Sequence, residues 1–449
     1  MQVHKNITNK LIAVMVLPLL VSSIDTKAQS EGDFSLKAQF RPKLEVRDGN
    51  FRPLEKNEKP AALISERVRL TFDYNYRDIL ELRVAPQSVG IWGQGSMVQG
   101  AENSGNQLSL FEAWAKLRLS DYWNLKAGRQ VISLDDERFF GELDWAQGAR
   151  SHDAVSVAFN KNNYEFKGFF SYNQNYREVY GNYMYNPSGN YYNTKGAFPY
   201  KWMQTLWAGI PLGKSSKLTV LATNLGIQNF TIGSDDTTLN DSQTFGLNYF
   251  YNGKKVKGQL AAYVQNNPTP TTHGNTAFMF TANIDFKLDK QWNIGIGSDY
   301  LSGNDLDKTN PNINNKAFNP YFHTGHKFYG NMDYFYAGNG HNGVGLSDNY
   351  LNIGYNSGKG YELKAALHQF FTPNVVRTFT KEYDKNLGQE LDLSFSAKLN
   401  NFANLSGGYS FFLNTETLNY LKNTPTADGY QQWIWLGLKV NPTLFKTKN

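Results

Sequence analysis

Asp135, Asp136, Glu137, Arg138, Asp144 and Arg150 crowd into sixteen consecutive residues, with Trp145 among them. Two carboxylates flanking a sugar can divide acid and base work, as in glycoside hydrolysis. Here Arg138 and Arg150 lie close enough in sequence to hold those carboxylates ionised, which removes the proton donor. The chain also carries neither a Gly-x-Ser-x-Gly elbow nor a His-Glu-x-x-His pair. The residue types read instead as a loop folded by its own salt bridges, one that narrows whatever it enters. No catalytic residue is assigned, and a hydrolase using Asp135, Asp136 or Glu137 stands as the competing reading.

His323, His326 and His341 share a long segment with Phe328, Tyr329, Tyr334, Phe335 and Tyr336. Three histidines could ligate a metal, but no carboxylate or helical spacing sets a geometry, so none is assigned. The aromatic cluster says that this segment packs into something, as a pore lining or lid. Residues 208–215, Ala-Gly-Ile-Pro-Leu-Gly-Lys-Ser, match a relaxed phosphate-loop pattern. That loop must open a helix, whereas Lys217, Leu218, Thr219 and Val220 continue as strand, leaving a tight turn.

A second constellation is spread over four strands. From Phe34 onward the chain alternates: Phe34, Leu36, Ala38, Phe40, Leu44 and Val46 share one face, and Lys37, Gln39, Arg41, Lys43, Glu45 and Arg47 share the other. The pattern recurs with Arg67, Arg69, Thr71 and Asp73, then Glu81 and Arg83, then Glu112, Trp114, Lys116 and Arg118 on the polar face. If the apolar faces meet lipid, then Lys37, Arg41, Lys43, Arg47, Arg67, Arg69, Arg83, Lys116 and Arg118 point inward against Glu45, Asp73, Glu81 and Glu112. Such a basic stripe raises the local concentration of anions, and Arg grips carboxylates bidentately.

The elements that must position these groups are strands throughout. No segment past the N-terminus holds the roughly 18 apolar residues a helical span needs. Further alternating runs bring the total to eighteen, the last being Gln432 to Val440, which could close against the first. Short turns at Asp78, Asp121, Asn162, Lys214-Ser215, Gly253, Lys290, Gly358 and Asn401 alternate with long loops that include 48–62, 90–106, 134–150, 174–200 and 304–346. This sorting predicts an all-β fold, an 18-stranded antiparallel transmembrane β-barrel with short periplasmic turns and long extracellular loops. Tyr76, Trp123, Tyr164, Tyr251, Trp292, Tyr355 and Tyr361 fall near the short turns, at headgroup level.

Composition agrees. Aromatics make up 15% of the 449 residues, charged residues only 19%, and Gly numbers 39, a profile of strands and turns. The absence of Cys excludes disulfides and thiolate metal sites. Lys5 and Lys10 precede the apolar run Leu11 to Val21, and Thr26-Lys27-Ala28 supplies small residues for cleavage, so residues 1–28 read as a secretory signal and 29–449 as the barrel. The mature chain then carries 42 basic and 38 acidic residues, a net +4 too mild to imply nucleic acid.

Residues 128–154 run from Gly128-Arg129-Gln130 through Asp135-Asp136-Glu137-Arg138 and Asp144-Trp145 to Arg150 and Asp153-Ala154. This combination resembles the alginate-export family of outer-membrane β-barrels, where a Gly-Arg-Gln strand end and an Asp-Asp-x-Arg…Asp-Trp…Arg loop recur. The resemblance implies a Gram-negative outer membrane, a polyuronate or related acidic polysaccharide as cargo, and secretion rather than uptake. It also implies a constriction site for Arg129. Alternation by itself puts Arg129 with Leu125 and Ala127 on the lipid side, unless a bulge at Gly128 turns it inward.

The expectation is a passive channel for an anionic polysaccharide or oligosaccharide, without cofactor, narrowed by loops 134–150 and 304–346. Its partners are outer-membrane lipid, the anionic solute and a possible periplasmic secretion or uptake component. A general anion-preferring diffusion porin and a plugged adhesin remain alternatives beside the hydrolase.

Overall fold

The computed structural model describes residues 32–49, 51–94, 107–173, 200–228, 239–267, 276–310, 315–335 and 343–447. The segment 1–28, His341 and Tyr336 lie outside these residues. Eighteen strands wind in chain order: β1 (Gly32–Arg47), β2 (Ala61–Tyr76), β3 (Leu80–Ile91), β4 (Gln107–Arg118), β5 (Trp123–Gln130), β6 (His152–Lys161), β7 (Tyr164–Tyr172), β8 (Trp202–Pro211) and β9 (Ser216–Gln228) make the first half. The second half is β10 (Leu239–Asn252), β11 (Val256–Asn266), β12 (Thr276–Lys287), β13 (Trp292–Leu301), β14 (Leu346–Asn356), β15 (Tyr361–Phe371), β16 (Asn386–Lys398), β17 (Ala403–Asn414) and β18 (Tyr430–Val440). Each pairs antiparallel with its chain neighbour, and β18 closes on β1 from Arg47↔Trp433 to Phe40↔Val440. Thr443–Lys446 extends the seam along Ser35 to Lys37. The expected closed 18-stranded antiparallel barrel is the observed fold, and closure leaves no sheet edge unpaired in hydrocarbon.

Side-chain period sets the two faces. Phe40, Leu44, Val68, Leu82, Leu260, Ile296, Leu391 and Leu436 stand exposed on the outer wall, a continuous apolar band. Arg67, Arg69, Gln87, Glu112, Asp299, Asp348 and Asp392 are buried on the inner one. Near the short turns Trp123 packs 4.9 Å from Phe159, and Trp292 packs 4.8 Å from Tyr355, ring centre to ring centre. The turn between β6 and β7 is Asn162-Asn163, both at positive φ (53° and 65°), a geometry whose twist matches that of the flanking strands.

The long connections do not all stand outside. The β5–β6 connection (residues 131–151) and residues 315–335 of the β13–β14 connection fold into the barrel and pack on each other. Gly141 donates its amide to the Phe322 carbonyl at 2.8 Å, and Phe322 donates to that of Phe139 at 3.1 Å. Phe139, Phe140, Phe318, Tyr321, Phe322, Tyr329, Tyr334 and Phe335 are all buried there.

A charge on the outer band discriminates the two faces. Ile296→Arg, at mid-height on the outer wall, should cost about 2–4 kcal/mol of folding stability, whereas Thr71→Lys on the inner wall stays within about 0.5 kcal/mol. Equilibrium urea unfolding into lipid vesicles measures both, and equal costs would refute the assignment of faces.

Candidate functional site

The constriction is built on one carboxylate. Asp144 faces β1 and β2, and its oxygens lie 2.8 Å from Arg67, 3.5 Å from Arg41 and 3.9 Å from Arg69. Arg41 also donates to the backbone carbonyls of Asp144 and Ala146 at 2.6 and 2.9 Å, and to Gln147 Oε1 at 2.9 Å. Arg67, with no exposed surface, donates to Gln39 and to the Gln147 carbonyl. Arg69 donates to Gln87 Oε1 at 2.7 Å and lies 3.5 Å from the centre of the Phe111 ring. Three arginines converge here because odd-numbered residues of both strands face inward and Gln39↔Arg69 and Arg41↔Arg67 are register partners.

The same loop is clasped on the far side. Asp135, at φ +55°, accepts hydrogen bonds from Trp207 Nε1 (3.0 Å), Thr219 Oγ1 (2.6 Å) and Asn248 Nδ2 (3.3 Å), one from each of β8, β9 and β10. Burial raises the Asp135 carboxyl above the usual carboxylate range, against the pull of the Thr219 and Trp207 bonds. Arg138 is buried, pairing with Asp136 at 2.7 Å and with Asp299 of β13 at 2.6 Å, and it lies 4.2 Å from the Phe328 ring centre. Burial alone would lower the Arg138 guanidinium; the Asp299 and Asp136 charges win and hold it well above its ordinary value. Glu137 accepts from Ser133 Oγ at 2.8 Å. Arg150 donates to the Phe322 and His323 carbonyls, tying this loop to 302–345.

Trp145 stacks on His326 with ring centres 3.9 Å apart, meets Trp433 and Trp435 edge-on, and has Lys43 Nζ 4.4 Å from its centre. His326 Nδ1 is 3.0 Å from Asp333, and His323 Nδ1 is 2.6 Å from the Pro320 carbonyl. Among the described residues no three His, Cys, Asp or Glu side chains gather as a metal site. Along the wall past β18 and β17, Glu390 and Asp392 of β16 accept the backbone amides of Met332 (2.7 Å) and Asn331 (3.2 Å) and hold loop 302–345.

Residues 33–174 match the alginate-export family. None of the curated proteins is a significant match to the chain. Among solved structures, Pseudomonas aeruginosa OpdL aligns over 92% of this chain and 99% of its own at 11% identity, TM-score 0.61. Acinetobacter baumannii OccAB2 aligns over 92% and 98% at 11% identity, TM-score 0.59. Pseudomonas aeruginosa OpdK with vanillate aligns over 91% and 98% at 8% identity, TM-score 0.59. At such identities the structural likeness carries the fold. With the lipid-facing band and the alginate-export match, it makes this an outer-membrane β-barrel channel.

The alginate-export match covers the strands and loop that form the arginine clamp, yet one residue of the motif lies elsewhere. Arg129 does not enter the constriction. The register Ala113↔Arg129 continues without a shift through Gly128 despite its φ of +119°, so Arg129 points outward, 3.8 Å from Asp153 and hydrogen-bonded to Ser151. Gln130 is the inward neighbour, fully buried and bonded to the Ala154 carbonyl and Ser156.

The other inward cations have varied partners. Lys37 lies 3.6 Å from Asp73, and Arg83 reaches Asp73 and Glu112. Lys116 pairs with Glu81, Lys43 with Glu45, and Arg118 with Asp121 at the short turn. Arg47 donates to the Gly49 carbonyl and faces the Phe51 and Trp433 rings.

Below the loop, toward the short turns, two open recesses remain. One of about 340 Å³ lies between Lys37, Arg69, Arg83 and Asp144. The other, about 490 Å³, has Val131 to Ser133 as its ceiling and Trp114, Lys116, Lys126, Lys167 and Phe169 on its walls. Lys126 Nζ lies 4.9 Å from the Trp114 ring centre, and Lys167 Nζ lies 4.8 Å from that of Trp207. Among the described residues neither lysine sits in an ion pair. Sequence reasoning passed over both, although inward parity along β5 and β7 would have found them.

Two outcomes test the clamp. Asp144→Ala leaves three arginines without their counter-charge. It should cost about 3 kcal/mol, the low end for a broken buried pair because Asp144 is itself one-third exposed, and raise single-channel conductance severalfold as the loop swings from β1 and β2. Unchanged conductance would refute it. For Asp135 the raised carboxyl means the folded state holds its proton more tightly than the unfolded chain. Its contribution is therefore full below the ordinary pKa of about 3.9 and is lost as pH rises through the raised value. Asp135→Asn should flatten that slope in pH-dependent unfolding.

Proposed function

We propose that this channel passes an anionic polysaccharide or oligosaccharide of the polyuronate kind, passively and outward, with residues 1–28 acting as a removed export signal. The observation that carries the reading is the chamber below the constriction. There Lys126 and Lys167, neither in an ion pair among the described residues, share the chamber wall with the half-buried rings of Trp114 and Phe169, pairing cations for carboxylates with flat apolar surfaces for sugar faces. The Arg41, Arg67 and Arg69 cluster supports the same polarity of field, since the single Asp144 carboxylate offsets only one of its three charges. Asp135, Asp136 and Glu137 anchor the loop, which favours a channel over a hydrolase.

A second reading is an anion-preferring pore for small carboxylates. The recesses of about 340 and 490 Å³ favour it, as does the vanillate of the OpdK structure, itself a small carboxylate.

Planar-bilayer recordings under a salt gradient separate the readings. The wild type should be anion-selective, and Lys37, Lys126 and Lys167 changed together to Glu should lower the anion-to-cation permeability ratio at least about tenfold. Block by uronate oligomers that deepens with chain length supports the polysaccharide, and block independent of length supports the small carboxylate. A cation-selective wild type would sink both.

A further inference from the structure

The constriction arginines are held in fixed contacts with Asp144 and lie beyond the chamber, so the charge that an anion arriving at the short-turn end meets first comes from elsewhere. At the short-turn end, on the inner wall from β10 to β15, a recess of about 570 Å³ is lined by Lys254, Lys255, Lys257, Lys287, Lys290 and Lys364. All six are exposed. None forms an ion pair among the described residues, in contrast to Lys37, Lys43 and Lys116 on the opposite wall.

Three acids share the recess, and two are occupied. Asp289 accepts the backbone amides of Gln291 and Trp292 at 2.7 and 2.8 Å, which shapes its turn. Glu362 accepts from Asn356 Nδ2 at 2.8 Å. Asp285 alone faces the lysines without such a bond. The bias extends around the mouth, since the eight short turns together carry six basic residues against three acidic ones.

Lysine is suited to recruitment rather than to a fixed grip. Its ammonium is a hydrated point charge on a flexible stem, able to follow carboxylates at varied spacing without the bidentate fit that slows release. Six such charges within a concave wall raise local anion concentration over a range of about 8–10 Å at physiological salt.

We infer that this lysine-lined recess is the capture site where a carboxylate-bearing polysaccharide enters from the periplasmic side. The inference rests on the anionic-polysaccharide reading and adds the place of entry to it. The chain meets the lysines first, passes the Lys126 and Lys167 chamber, and reaches the constriction last.

The full chain in a planar bilayer tests this, with oligouronate fragments added to one side at a time. The sequence has no Cys, so Lys214→Cys in a short turn reports orientation by one-sided maleimide labelling. Addition at the short-turn side should block at least about tenfold faster than addition at the loop side, with a rate that falls steeply as salt rises. Changing the six lysines to Gln should equalise the sides. The milder pair K257Q and K364Q, which leaves the turns untouched, should lower the short-turn rate severalfold. Equal wild-type rates from both sides would overturn the capture site. So would a sidedness that survives the six-fold change, which would leave the lysines to an acidic periplasmic protein. Absence of block from either side would instead remove the polysaccharide reading itself.

Discussion

Hydrocarbon offers no partner to a peptide N–H or C=O, and each one left unpaired costs several kcal/mol. That constraint determines how this chain folds. Every strand of the wall must be paired on both edges, so the sheet closes where Arg47 meets Trp433 and Phe40 meets Val440. Eighteen tilted strands enclose a lumen too wide for wall side chains to fill. Two connections therefore enter it, and their interior contacts bury Phe139, Phe140, Phe322 and Tyr329 almost completely. The aromatic core of this protein lies inside the barrel, between loops, and the lipid-facing leucines and isoleucines form a second apolar surface that no protein covers.

Electrostatics inside the lumen follows from that filling. A loop that crosses the barrel must be held at both ends. The anchors are charged because the walls it meets are polar: Asp144 on the arginines of β1 and β2, and Arg138 on Asp299 of β13. Charges used in this way are fixed in place, although three arginines on one Asp144 carboxylate leave the clamp net positive. The inward cations free of ion pairs among the described residues include lysines, at Lys126 and Lys167 in the chamber and in the recess at the short-turn mouth. The division is physically sensible. Arginine's planar fork suits fixed, desolvated pairing, and the lysine ammonium suits transient contact with a moving carboxylate.

Alternating hydrophobicity, the sorting of turns by length and the even strand number were all legible in the sequence, and together they specified the barrel. They are local or counting properties, and a period of two leaves no choice of face once lipid is outside. Parity also placed Lys37, Arg41, Arg67 and Arg69 on the inner wall and Arg129 on the outer one. The motif-based expectation for Arg129 failed because Gly128 takes a positive φ without shifting the register.

What only the tertiary structure decided is which inward charges are free. Asp144 lies about 75–105 residues from the arginines it bridges, and Arg138 lies 161 from Asp299. Trp207, Thr219 and Asn248 reach Asp135 from three different strands. Sequence determines that each of these side chains points into the lumen. Which of them meet depends on the path of two loops across a closed barrel, set by long-range packing that no local pattern encodes.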